Sequence, residues 1–258
     1  MEDVVYYKNE PPFFRVLLNR PQALNALDYN TLKSLEEAIN EAAKSETRFV
    51  LIESLDSRSF AAGADVKFFS SLEAKPLNDY IIYGKKVFDK LATLEKITFS
   101  LVDGYCLGGG FELALSTDFI IATQKSKFGL PEVSLGLVPG FSGFYRLAFR
   151  VGLQSAKRLI VTGKILTFEE ARSLGIVDFE SQNSDFDATK NLILDNFGSA
   201  SPFACKKAKH VINTYLRPLK CFLDDLETAS FLECFEHEEG KEGVKAFLEK
   251  RKSSFNIK

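Results

Sequence analysis

Two histidines and four cysteines, none of the cysteines in a CxxC pair, leave this 258-residue chain poorly supplied for metal binding or for relays built on imidazole. His210 and His237 both fall in the helical C-terminal part, where a His-based metal site or a Ser-His relay finds no evident partners, so no metal is expected. Cys106, Cys205, Cys221 and Cys234 read as reduced, structural thiols. Charge of one sign is lacking too: a net charge of −2 gives no general attraction to nucleic acid or to an anionic membrane. No apolar run reaches the roughly 20 residues that a membrane span needs. The N-terminal MEDVVYYKNEPPFF is acidic and has neither a signal nor a transit pattern, which makes a cytoplasmic location the expectation. There is no strand–GxGxxG–helix fingerprint, no GxxxxGK[ST] loop, no internal repeat and no low-complexity tract, so dinucleotide-type and phosphate-loop chemistry are set aside. What remains is an ordinary composition, 45% hydrophobic and 26% charged, of a length that suits one or two domains with a sizeable core.

One stretch organises the rest. Leu101–Glu132 reads LVDGYCLGGGFELALSTDFIIATQKSKFGLPE, with Gly108, Gly109 and Gly110 following a β-rich run and opening a short helical pattern. Each glycine weakens a helix interior by roughly 0.5–1 kcal/mol, so three in a row are expected where the backbone must approach something closely. N–H groups at a helix start suit a developing negative charge, and Glu112 stands two residues into the pattern.

Along the chain, Val4–Lys8 and Phe13–Asn19 are predicted strands around a turn at Asn9–Pro12. Asp28 can cap a helix whose Leu32, Leu35, Ala38, Ile39 and Ala42 recur at helical spacing. The apolar run Phe49–Glu53 then completes a βαβ crossover. Asp79–Leu94 is a predicted helix and Ile97–Val102 the strand leading into the glycine run; Phe119–Ala122 is a further buried strand. Predicted helices at Phe144–Val151 and Gln154–Val161 precede Thr167–Glu170, a capping box for a short helix ending near Gly175, and Ile176–Phe179 suits an edge strand. Asp185–Phe197 reads as a connection between a core domain, 1–197, and a helical region, 198–258, opened by Ser201-Pro202. Phe222, Leu226, Phe231, Leu232 and Phe235 give that region apolar surface to bury against the core or against another subunit.

Carboxylates and backbone groups are therefore the candidates for chemistry. Glu132 lies between Leu130-Pro131 and Val133-Ser-Leu135, and an acid in apolar surroundings keeps its proton longer. Glu112 and Glu132 are too far apart in sequence for one helix face and meet only if Phe119–Ala122 returns the chain beside the glycine run. Two such acids at unequal pKa can share acid and base work. A carbonyl oxygen gaining charge between them needs two donors. The Gly109 N–H is one, and the exposed backbone of Ala61-Ala-Gly-Ala64 is the best source of the second.

These segments together resemble one family. NRPQALNAL (Asn19–Leu27), SFAAGADVKFF (Ser59–Phe69), DGYCLGGGFELALSTDF (Asp103–Phe119), FGLPEVSLGLVPG (Phe128–Gly140), TGKILTFEEARSLGIVD (Thr162–Asp178) and EGVKAFLEKRKSSF (Glu242–Phe255) look, in order, like the enoyl-CoA hydratase/isomerase family, the crotonases. The resemblance implies an α/β fold, a crotonase-like spiral of ββα turns with a helical C-terminal trimerisation region, and a homotrimer or dimer of trimers. It implies an acyl-CoA thioester as substrate and no separate cofactor, coenzyme A being part of that substrate. By the motif match, Ala64 and Gly109 form the oxyanion hole, and Ala62–Lys67 cradles the adenine of coenzyme A through its backbone. Substrate contacts fall on Ala23, Ala62, Asp65, Val66, Lys67, Leu107, Pro131 and Gly140, with the Asp65 and Lys67 side chains read as surface groups. Glu112 would be the base that activates water at Cβ and Glu132 the acid at Cα of a 2-enoyl-CoA. A double-bond isomerase, which usually lacks the first carboxylate, and a noncatalytic acyl-CoA-binding member remain the alternatives. Phe141, Phe144 and Tyr145 stand where hydratases carry small and Thr-Gln residues; they either reshape the acyl pocket or pack between helices.

Overall fold

The computed structural model describes residues 3–255, without the side chains of 215–219, 221 and 222, so those of Cys221 and Phe222 lie outside the described residues. The chain starts with a hairpin, β1 (Val5–Glu10) and β2 (Phe13–Leu18), paired antiparallel from Val5 opposite Leu18 to Glu10 opposite Phe13. Asp28 caps α1 (Tyr29–Lys44) by accepting the Thr31 N–H at 2.7 Å, and Leu32, Leu35, Ala38, Ile39 and Ala42 form its buried face. β3 (Phe49–Ser54) returns parallel to β2, which completes the expected crossover.

From here the chain repeats one move. A strand joins a large sheet, the next joins a small one, and a helical segment carries the chain back. The pairs are β3 with β4 (Ser59–Ala61), followed by α2 (Val66–Phe69) and α3 (Ala74–Ala92), then β5 (Ile97–Val102) with β6 (Tyr105–Leu107), followed by α4 (Gly109–Ala114). Next come β7 (Phe119–Ala122) and β8 (Lys127–Gly129), a 3-10 turn at Pro131–Leu135, α5 (Gly143–Val151), α6 (Leu153–Thr162), α7 (Phe168–Ser173) and the edge strand β9 (Phe179–Glu180). The large sheet has the order β1-β2-β3-β5-β7-β9, parallel beyond the first hairpin, and the small sheet is β4-β6-β8, parallel throughout. This is the spiral of ββα turns that the sequence implied.

Three helices follow: α8 (Phe186–Phe197), α9 (Pro202–Glu236) and α10 (Glu238–Leu248). Ser201 caps α9 ahead of Pro202, and the Thr167–Glu170 capping box forms at α7, as the sequence predicted. Among the apolar residues named for the tail, Phe231 is buried, and Leu232 and Phe235 pack on the same core, whereas Leu226 stays exposed. No helix among the described residues is long and apolar enough to cross a membrane.

Two expectations change. The helix predicted from Asp79 starts at Ala74, with Pro76 in its first turn, where a missing N–H costs nothing. The segment Asp185–Phe197 is not a connection but α8, capped by Asp185, which accepts the Ala188 N–H at 3.2 Å. Phe186, Ile193 and Phe197 dock it on the outer face of the large sheet, in a separate aromatic core with Phe13, Phe49 and Phe99. The Phe197 ring lies 4.9 Å from Phe119 and 5.2 Å from Phe99. The expected cost of Phe197→Ala is therefore about 2–3 kcal/mol for a half-buried ring, measured as a lower urea midpoint with an unchanged slope; a connecting segment would show almost none.

Candidate active site

The three strands of the small sheet point the same way, so their carboxyl ends share one edge. Ala61 stands opposite Cys106, and Leu107 opposite Gly129. The loop after β4 brings Ala62–Asp65 to that edge, the turn after β6 brings Gly108 and Gly109, and the turn after β8 brings Glu132. Ligands in parallel sheets gather at this end of the strands. The glycines are what let the loops close. A Cβ on Gly110 would lie 2.1 Å from the Ala61 carbonyl oxygen. Gly108 has φ +50°, and its Cβ would lie 2.8 Å from Oε1 of Glu132.

Ala64 and Gly109 meet at the same edge: a Cβ on Gly109 would stand 3.2 Å from the Ala64 nitrogen. Among the described residues neither N–H donates to a protein acceptor. The Ala64 loop is fixed from behind. Leu27 donates to the Gly63 carbonyl at 2.8 Å, and the Leu27 carbonyl accepts from Asp65 N–H at 2.9 Å and from the Tyr80 hydroxyl at 2.6 Å. Lys67 is exposed, but Asp65 is not the surface group expected of it. Its carboxylate caps α2 through the Phe68 N–H at 3.1 Å and pairs with Arg20 at 2.7 Å, which makes it a brace for the loop.

These parts face one cavity of about 770 Å³. Its walls include every residue that the resemblance marked as catalytic, oxyanion-hole or substrate contact: Ala23, Ala62, Ala64, Asp65, Val66, Lys67, Leu107, Gly109, Glu112, Pro131, Glu132 and Gly140. Arg20, Tyr80, Phe141 and Phe231 line it as well, and of these only Phe141 was marked as a pocket candidate. Phe141 satisfies both alternatives posed for it, since it faces the cavity and also packs edge-on between Tyr80 and Phe88 of α3, 5.4 Å from each ring. Phe144 and Tyr145 are not in the wall; Phe144 packs on the core and Tyr145 on Phe149.

The two acids differ in what holds them. Glu112 is 1% exposed, and its Oε1 accepts the N–H groups of Phe141 at 2.8 Å and Gly143 at 2.7 Å. Burial pushes its pKa well above the usual carboxylate range, the charges of Glu227 and Glu132 add to that, and the two amides pull in the opposite direction. Burial, with a contribution from Glu227, raises Glu132 to about 8. Its Oε2 is buried and has no hydrogen-bond partner among the described residues. Two buried acids of raised pKa, one facing two amides and the other with an unpaired oxygen, are thus set beside two N–H groups that no described residue claims, an arrangement able to take a proton at one point and give one at another. Glu227, on α9, had no signal in the sequence, because nothing in the helical tail distinguishes it from its many acidic neighbours.

A sequence model of the enoyl-CoA hydratase/isomerase family matches residues 13–258. The short-chain-enoyl-CoA hydratase of Clostridium acetobutylicum is 39% identical over 241 residues, 92% of this chain and 91% of that protein. The crotonyl-CoA hydratase of Syntrophomonas wolfei is 34% identical over 255 residues, 98% of each. The crystal structure of an enoyl-CoA hydratase/isomerase from Pseudoalteromonas atlantica shares the fold with a TM-score of 0.85 and 26% identity, over 98% of this chain and 100% of that one. With the family pattern running through nearly the whole chain and the spiral fold built around it, the protein belongs to the enoyl-CoA hydratase/isomerase family.

Proposed function

We propose that the protein is an enoyl-CoA hydratase, a lyase that adds water syn and reversibly across the double bond of a 2-enoyl-CoA to give a 3-hydroxyacyl-CoA. One observation carries this reading: an amide-held Glu112, a buried Glu132 oxygen and the N–H groups of Ala64 and Gly109, the last three without a partner among the described residues, face the same cavity. In this reading the two amides hold the thioester oxygen and stabilise the enolate that forms on it. Glu112, as carboxylate, takes a proton from water as the oxygen bonds to Cβ. Glu132, protonated, then gives its proton to Cα, and the enolate collapses to the thioester. The backbone of Ala62–Lys67 receives the adenine end of coenzyme A. The relatives whose names specify short-chain and crotonyl substrates support crotonyl-CoA as the first substrate to test. The same reading has the chain assemble as a homotrimer or a dimer of trimers, which the exposed Phe203, Val211, Ile212 and Leu226 of α9 support.

With crotonyl-CoA, the wild-type protein is expected to remove the conjugated-enoyl absorbance. Glu112→Gln and Glu132→Gln should each lower kcat by about 10²–10⁴-fold; turnover within about threefold of wild type would end the roles given to them. The pH profile provides a separate check. Glu132 must be protonated to serve as the acid, and its pKa is raised to about 8. Hydration should therefore fall about tenfold per unit above that value, an alkaline limb that Glu132→Gln should lack; steady-state rates between pH 6 and 10 would show it.

A further inference from the structure

Four successive backbone N–H groups, from Phe141 to Phe144, alternate between two buried glutamates. Phe141 and Gly143 donate to Glu112, at 2.8 and 2.7 Å. Ser142 and Phe144 donate to the opposite carboxylate, Glu227, at 2.5 and 3.3 Å. The turn is strained, since Ser142 sits in the left-handed region at φ +75°, a conformation that a non-glycine residue keeps only where its surroundings enforce it. The enforcement comes from α9 and α3. The Ser142 hydroxyl donates to Asp224 at 2.8 Å. Glu227, itself 5% exposed, is ion-paired at 3.1 Å with Lys85 of α3. The Lys85 ammonium also donates to the Asp224 carbonyl at 2.6 Å and to the Thr228 hydroxyl at 2.9 Å.

We infer that Glu227, paired with Lys85, is a positioning residue for Glu112: by holding the Ser142 and Phe144 amides on one side of the turn, it aims those of Phe141 and Gly143 at the Glu112 carboxylate on the other. Removing the Glu227 carboxylate leaves two buried N–H groups unpaired and a strained turn without its anchor. Burial raises the pKa of Glu227 too, but Lys85 and the two amides favour its charged form, and that charge reaches the site, raising the pKa of Glu112 after burial and that of Glu132 as well. Among the described residues, the other charged or titratable groups around it are Lys85 on α3, Asp224 on α9 and Tyr145 on α5; beyond them Asp89 pairs with Arg146 and with Lys220. None of these reaches the Glu112 carboxylate through a hydrogen bond.

The inference rests on the hydratase reading with Glu112 as base, and Glu227→Gln tests it without removing either acid. The base must be ionised, so hydration rises with pH through the Glu112 pKa. Loss of the nearby negative charge lowers that pKa and moves the acidic limb of the kcat profile to lower pH, by about half a unit or more. Expected alongside is a fall in kcat of about 10–100-fold with KM for crotonyl-CoA changed by less than about threefold, because the turn orients the base rather than the substrate. Glu227→Asp keeps the charge and should leave the acidic limb in place while kcat still falls. A merely structural role would lower kcat in both variants and move the limb in neither. An unmoved limb in Glu227→Gln, or kcat within about twofold of wild type, overturns the inference. If Glu227→Gln does not fold, Lys85→Gln decides instead, because it removes the cation paired with Glu227 and so changes the charge felt by Glu112: a displaced acidic limb with KM unchanged upholds the inference, and an unmoved limb overturns it. Failure of the hydratase reading looks different, since crotonyl-CoA is then unchanged by the wild-type protein, or Glu112→Gln is as active as wild type.

Discussion

The site depends on the shared edge of three short parallel strands, β4, β6 and β8, whose carboxyl ends are drawn so close that no side chain fits between the glycine run and the Ala61 carbonyl. That closeness puts two amides side by side. It also lets residues from three separate turns face one cavity. A side chain at Gly110 would force the β4 and β6 turns apart, and the amide pair and the Glu132 carboxylate would separate with them. The large sheet, its aromatic outer layer and α8 serve this edge by giving the spiral a rigid wall to wind against.

Burying carboxylic acids runs against stability. Glu112, Glu132 and Glu227 stand near one another in a buried region, and among the described residues the cation paired with them is Lys85. In the folded protein each resists ionisation, so the native state is weakened as pH rises through the range where the unfolded chain has already released these protons. The structure limits the cost with backbone amides rather than with further cations. Amides stabilise a charge on Glu112 without cancelling it, which leaves the group able to take a proton. An arginine in the same place would hold the carboxylate permanently ionised and too weak as a base. Glu132 has no such support at its Oε2 among the described residues, so the two acids sit in unequal surroundings although they share a cavity.

Much of the architecture could be read from residue order. The spacing of Leu32, Leu35, Ala38, Ile39 and Ala42 defined α1, and the pattern strand–glycine run–helix placed β5 and α4, whereas the short strand β6 between them left no separate signal. Local chemistry was legible wherever a single residue type does one job, as with Asp28, Thr167 and Ser201 at their helix starts. The misreadings arose where partners are distant. Asp65 looks like a solvent-facing acid until Arg20 and the Phe68 amide are brought to it. The polar residues of Asp185–Phe197 mask a face of Phe186, Ile193 and Phe197 that has meaning only once a sheet of phenylalanines lies beneath it.

The order of motifs in the chain determined by itself the family and the spiral, and it marked two acids and two amides that the fold brings to one cavity, because glycine, proline and capping residues act over a few positions and leave marks at those positions. The packing of α3 and α9 against the Phe141–Phe144 turn was decided only in three dimensions. So were the unequal surroundings of Glu112 and Glu132 and the presence of Glu227 behind them. Proton affinity depends on burial and on which dipoles point at a group, and both come from segments far away in sequence.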